Sequence, residues 1–474
     1  MSATNTYSSR LTILLSLIFI ILTYLLFNPF NKPEQLERLH YIGESAGRMM
    51  DRHLEFYAGY DQVGVAERYL HGFLFGKRQD VENESIDNYE EVLDFFSRHP
   101  DQATSWSLLN TQSRLLIVLA ETGRLDDLRT KLDRFNESPE SELVAEAIRY
   151  AYLQEGSEEN LPEIMYGARM MPLGWAADRL WIRIAERRGD KMAEQYLLQR
   201  HLANGLKQRQ QVLAVSAVVF VIILLGMFAL WRYREIFVTT VWSQKSEHWP
   251  LAQGYAIVIR AAVAGMIIML LLQLWSTQFF KPGVLAQWST LFASLPMLYL
   301  IQRQLKLKNS EGMSKLFGLS LCDIGWKPFF IICLGFVAVD WLGSMFISWF
   351  SWTLGVSSHW SEALNERLVF GPSMTMWLGM INLVIFTAIF EEIGFRGLVY
   401  STMRSRLNAP WAICLSALLF SSVHLYSLAG FLSVLWSGLV LAYMYERYRS
   451  LLPGMVVHAV GNLFSFGTVL LFYT

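Results

Sequence analysis

The chain has 474 residues, 53% of them hydrophobic and only 17% charged, with a formal net charge of −1. Soluble domains carry nearer a quarter of charged residues, so this balance points to a membrane protein, and the near-neutral charge leaves no electrostatic footprint for nucleic acid. Three cysteines, Cys322, Cys333 and Cys414, lie in or beside late apolar segments and suggest neither a disulfide framework nor a CxxC metal or redox motif.

Nine segments approach the roughly 20 apolar residues that a bilayer crossing needs. The first, 11–27, is expected to be an uncleaved anchor, because "LFNPFNKPEQ" after it lacks a small-x-small cleavage site. A charged, cysteine-free stretch follows. In it Gly123, Gly156 and Gly189 recur at one interval, as do Pro139 and Pro172, and the same apolar face precedes each glycine. Leu115, Val118 and Leu119 form that face first, then Ile148, Ala151 and Tyr152, then Trp181, Ile184 and Ala185. This period predicts helix–turn–helix units and resembles tetratricopeptide repeats, although the signature Trp, Leu-Gly and Tyr positions are not filled consistently. An unrelated helical bundle with the same spacing is the alternative. No constellation there suggests chemistry, and binding of a protein partner is the natural role. Two "NES" triplets, at Asn83 and Asn136, fit the glycosylation pattern and decide nothing.

Further spans are expected at 211–231, 261–280, 283–302, 328–350 (broken only by Asp340), 373–390, two within 407–445 turning near "YSLAG", and 451–473. Basic residues orient them. Arg232, Arg234 and Lys245 fall in one loop, and Arg303, Lys306, Lys308, Lys315 and Lys327 in another. Arg396, Arg404 and Arg406 fall in a third and Arg447 with Arg449 in a fourth, whereas the alternate short loops hold only Lys281 and Arg367. The expected architecture is therefore an all-α membrane helical bundle of nine spans, N-terminus cytoplasmic and C-terminus outside. It divides into an anchor at 1–31, an extracytoplasmic helical domain at 32–209, spans at 210–327 and a core at 328–474.

The chemistry-bearing residues cluster in that core. "EEIGFR" supplies Glu391, Glu392 and Arg396, "FSSVH" supplies Phe420 and His424 inside the seventh span, and "HAVGN" supplies His458 and Asn462 on one face of the ninth. Glu392 and Arg396 stand at i and i+4, the spacing of an ion pair. Glu391, rotated about 100° from its neighbour, is free to face elsewhere. Carboxylates at the edge of hydrocarbon are costly and mark a site or a pathway. One that faces a bundle interior with two imidazoles can hold and deprotonate water, and a histidine or amide pair can stabilise an oxyanion. Taken singly, each residue has a plain structural reading: an interfacial glutamate, a packing histidine, a basic anchor. Asp340 has no obvious partner, and Asn382 and Ser422 read as interhelical hydrogen-bond formers.

Together the motifs EExxxR, FxxxH and HxxxN, in this order and on successive apolar segments, resemble the CAAX-protease and bacteriocin-processing (ABI) family of intramembrane endopeptidases, over about 373–474. The resemblance implies hydrolysis of peptide bonds in a membrane-associated protein or peptide substrate, in a bacterial plasma membrane. It implies Glu391 as the residue that activates water, with His424, His458 and Asn462 completing the site and the latter two supporting the oxyanion. Glu392 and Arg396 would shape it. The first two spans and the outer domain depart from the family core and put its usual substrates in doubt. Glu391, His424 and His458 also make a His₂Glu zinc set, yet no HExxH is present; a metal-free glutamate–water mechanism is favoured and zinc stays open. A non-proteolytic scaffold or immunity-type protein and a proton-coupled transporter using Asp340 are the competing readings. No inverted repeat of broken helices supports the latter.

Overall fold

The computed structural model describes residues 9–27, 35–65, 67–69, 72, 76–135, 138–239, 249–279, 288–305, 310–319, 325–356, 358–371 and 373–473. Lys245, Lys281, Lys306, Lys308, Cys322, Asn136 and the first residues of the 283–302 segment lie outside these. Among the described residues every regular element is helical and there is no strand. The chain divides into two compact units, Met1–Pro33 with Ala217–Leu470, and Glu34–Ser216 with Leu471–Thr474.

Each of the nine apolar segments contains a helix among its described residues. Six of the helices are long and apolar enough to cross a membrane: Lys191–Arg232, Leu251–Leu272, Trp326–Thr353, Met376–Arg404, Leu428–Tyr448 and Leu451–Tyr473. Leu11–Ile21 and Ala409–Ser422 are apolar but shorter, and the described part of the 283–302 segment belongs to the 16-residue helix Ser289–Gln304.

Two expectations change here. The sixth apolar run does not end at Phe390: the helix runs on to Arg404, so Glu391 sits near its middle. It can continue because Glu392 and Arg396, each 1% exposed, pair inside the protein and present no charge to hydrocarbon. Arg396 is therefore no loop residue and leaves the count that orients the chain. The seventh segment is also shorter than expected. Ala409–Ser422 ends two residues before His424, after about 21 Å of helix, so His424 lies in a turn and not within a span.

The Glu-bearing helix is unusual in its winding. Its stretches Ile381–Thr387 and Glu392–Tyr400 are π-helical, one on each side of the short α-helical segment Ala388–Glu391. Such i→i+5 turns are rare and concentrate at functional sites. Gly397 lets the second stretch lie against Phe317, where an added Cβ would stand 2.8 Å from the ring. Two apolar clusters flank the helix. One gathers Ile257, Ile301, Phe317, Ile393, Leu398 and Met455; the other joins Phe336, Val337, Val440, Met444 and Val457. Small residues bring the remaining helices close, with Gly438 against Ala417 and Gly343 against Trp436.

The second unit contains three successive helix–turn–helix pairs. Ser105–Glu121 is followed by Leu125–Leu132, Pro139–Ile148 by Leu161–Met170, and Trp175–Arg187 by the start of Lys191–Arg232. Gly123, Gly156 and Gly189 adopt φ of 77°, 83° and 67° in the turns, a left-handed conformation that glycine takes without a Cβ penalty. Polar contacts link successive pairs. Glu121 accepts from Tyr152 Oη at 2.8 Å and from Arg183 Nε at 3.0 Å, and also pairs with Arg179. Arg187 lies over the Tyr150 ring at 3.9 Å. Deeper in, Arg114 Nε donates to Asp51 at 3.1 Å, both side chains buried.

Candidate active site

Four elements converge on the buried pair. Arg396 Nη1 donates to Glu392 Oε1 at 3.0 Å, and His458 Nδ1, from the helix Leu451–Tyr473, donates to the same oxygen at 3.0 Å. The other ring nitrogen, Nε2, stands 3.7 Å from Glu391 Oε2. The result is a chain of contacts, Arg396–Glu392–His458–Glu391, in which the two neighbouring glutamates hold opposite edges of one imidazole. Glu392 is fully committed to it. Glu391 Oε2 is buried and has no hydrogen-bond partner, and a buried polar atom left so is costly unless something binds there.

Phe420 is the apolar centre of the site. The Arg396 guanidinium lies over its ring at 4.2 Å, a cation–π contact. His424 and His458 meet the ring edge-on at centroid distances of 4.9 and 6.0 Å. His424 Nδ1 donates to the Phe420 carbonyl at 2.8 Å, and its Nε2 lies outside that bond. Asn462 Nδ2 donates to the carbonyl of Leu383 at 2.8 Å, within the π-helical stretch. Arg396, Glu392, His458 and Glu391 are thus linked one to the next and Phe420 touches Arg396 and both histidines, whereas Asn462 bonds to a carbonyl nearer the start of the Glu-bearing helix. Glu391, His424 and His458 do not form a ligand set: among the described residues no three His, Cys, Asp or Glu side chains gather to hold a metal ion.

Glu391 also opens on a cavity of about 620 Å³ between the helices Leu251–Phe279 and Ser289–Gln304 and its own helix. Val258, Met266, Met297, Phe390 and Phe395 are among its walls, Thr290 and Ser294 add hydroxyls, and Glu391 is the one charged residue among those described there. An apolar pocket with a few convergent polar groups is the usual form of a binding site.

Several contributors have no signature in the sequence. Asp340 does have a partner, Ser437 Oγ, which donates to it at 2.7 Å. The carbonyl of the next residue, Gly438, receives Arg396 Nη2 at 3.4 Å. Ser422 bonds back to Leu418 in its own helix at 2.7 Å instead of bridging helices. Asn382 leaves its buried Oδ1 without a partner. A carbonyl partner or a π-helical turn carries no residue-type signal, which is why these were not legible.

Residues 373–464 match the family model of the type II CAAX prenyl endopeptidase Rce1-like proteins. No curated protein and no solved structure matches the chain. The matched region takes in both glutamates, Arg396, Phe420, both histidines and Asn462, so this part of the chain is similar to the type II CAAX prenyl endopeptidase family.

Proposed function

We propose that the protein is an intramembrane endopeptidase that cuts membrane-associated, apolar-tailed or lipidated proteins by glutamate-activated water. One observation carries this reading: Glu391 Oε2 is buried without a hydrogen bond, 3.7 Å from His458 Nε2, while the same side chain borders the apolar cavity. A substrate's apolar tail occupies that cavity and brings its scissile carbonyl beside Glu391. Glu391 removes a proton from water and the oxygen adds to the carbonyl carbon. The intermediate collapses with cleavage of the C–N bond, and the proton held by Glu391 passes to the leaving nitrogen. The Nδ1 bond to Glu392 fixes the His458 ring, and the second amide hydrogen of Asn462 is available to the oxyanion. His424 offers its Nε2 to the water.

The surrounding organisation is part of the same proposal. Nine helices cross a bacterial plasma membrane with the N-terminus cytoplasmic, and the helix–turn–helix unit at 32–209 is a tetratricopeptide-like outer domain that recruits a protein partner. The anchor at 1–31, the spans at 210–327 and the core at 328–474 complete the division. Quantitative proteomics of membrane fractions from cells with the wild-type chain or Glu391→Ala tests the activity. Uncut membrane-associated proteins should accumulate with the variant; identical profiles would contradict it.

A further inference from the structure

His424 owes its place to no helix. It follows the end of Ala409–Ser422, and its ring has one hydrogen bond, to the carbonyl four residues back. The next residue, Leu425, has a φ of 55°, a left-handed conformation that a non-glycine residue takes only where its surroundings impose it. Ser427 then starts the helix Leu428–Tyr448, yet its own hydroxyl makes no cap.

The surroundings that impose this turn come from another part of the chain. Glu362, in the short turn Trp360–Ala363 after the helix Trp326–Thr353, accepts from the Ser427 backbone N–H and from Ser427 Oγ, the latter at 3.1 Å. Its carboxylate also faces Gly430, where an added Cβ would stand 2.5 Å from Oε2. The carboxylate therefore caps the first turn of the helix, where negative charge complements the backbone dipole. Glu362 is itself anchored, since His359 Nδ1 receives the Ser361 N–H at 3.3 Å and the intervening Trp360 is 6% exposed. Across the turn, Ser421 Oγ donates to the Phe431 carbonyl at 2.6 Å. The segment from Ser421 to Phe431 is thus tied at both ends, with the strained residue and His424 between the ties.

We infer that Glu362 is a positioning residue for His424: by holding Ser427 it maintains the left-handed turn that sets the imidazole against the edge of Phe420. The inference rests on the proteolytic reading for its consequence and on geometry alone for its substance, so the test has two arms. In the first, the full chain in detergent is treated with diethyl pyrocarbonate and carbethoxylation of His424 is followed by mass spectrometry, with the exposed His40 as internal reference. Glu362→Ala should raise the rate at His424 several-fold relative to His40. Glu362→Gln, whose amide oxygen still accepts from Ser427, should fall between. In the second arm the same proteins cut a quenched fluorogenic peptide carrying a prenylated cysteine. Glu362→Ala should lower kcat several-fold with KM nearly unchanged, and Glu362→Gln should restore part of it. An unchanged His424 rate in Glu362→Ala overturns the inference even if activity falls. Failure of the wild type to cut the peptide counts against the proteolytic reading, while the first arm still decides the positioning role.

Discussion

Glu392 accepts from both Arg396 and His458 while buried to 1% exposure, so its removal leaves both donors without their acceptor. Glu392→Gln strips Arg396 of its counter-charge in a site that cannot hydrate it. Breaking such a buried pair from one side costs about 3–5 kcal/mol, and Arg396→Gln should cost a similar amount. The double variant should be no less stable than either single one, because the groups act as a unit; thermal unfolding of the three proteins in detergent checks this, and additive losses would contradict it. Phe420→Leu keeps an apolar side chain but removes the face under Arg396, and should cost about 1–2 kcal/mol together with much of the activity. The residue types in this cluster were legible in the sequence, and so was the Glu392–Arg396 pair, because four-residue spacing on a helix is a local rule. The division between the glutamates was legible only as two directions. What each one faces depends on His458, 66 residues away.

The Glu-bearing helix and the turn after Ala409–Ser422 carry the site's tension. Two π-helical stretches separate the glutamates' neighbours by an extra residue per turn. Deleting Val384 should return the first stretch to α-helical winding, rotate the residues on one side of it by about 100° and abolish activity in a protein that still inserts. Leu425→Gly places at that position the residue that takes φ of 55° without a Cβ penalty. It should leave the thermal midpoint unchanged or raise it by the equivalent of up to about 1 kcal/mol, whereas the β-branched Leu425→Ile should lower it. Composition and hydropathy marked where the apolar helices lie among the described residues but misjudged two lengths. The run ending at Phe390 looked finished because Glu391, Glu392 and Arg396 look like an interface when their pairing cannot be seen. The stretch 407–445 looked long enough for two full spans, because hydropathy does not register the left-handed residue and the Glu362 cap that begin a new helix early.

The two compact units divide labour differently: one gathers all of the candidate chemistry, and the other holds buried polar groups that report on its folding. His53, on Ile42–Phe56, is kept below its ordinary value of 6.5 by burial. Its unfolded form takes up a proton as pH falls through about 6.5 while the folded form resists, so the stability His53 permits at neutral pH is lost progressively on acidification. The thermal midpoint of the wild type should fall between pH 7.5 and 5.5, and His53→Leu should flatten that fall; equal slopes would refute it. The interval of glycines announced the helix–turn–helix units of this part, since each marks a left-handed turn. Glu121 with Arg179 and Arg183, which link the first pair to the third, lie too far apart in sequence to be read from it. A cysteine-accessibility scan, with residues near Glu90 and the C-terminus expected outside and residues near Asn309 inside, tests the proposed topology.

Cleavage of a prenylated reporter peptide by purified wild type, Glu391→Gln and Glu392→Gln is the most direct measurement of the proposed mechanism. Glu391→Gln retains size and polarity but loses the proton acceptor, and a general base contributes roughly 10²- to 10⁴-fold. That variant should therefore lose nearly all cleavage while keeping the wild-type thermal midpoint. Glu392→Gln should instead lose stability and retain partial cleavage. Full cleavage by Glu391→Gln, or an intact reporter with every protein including the wild type, would contradict glutamate-activated hydrolysis at this site.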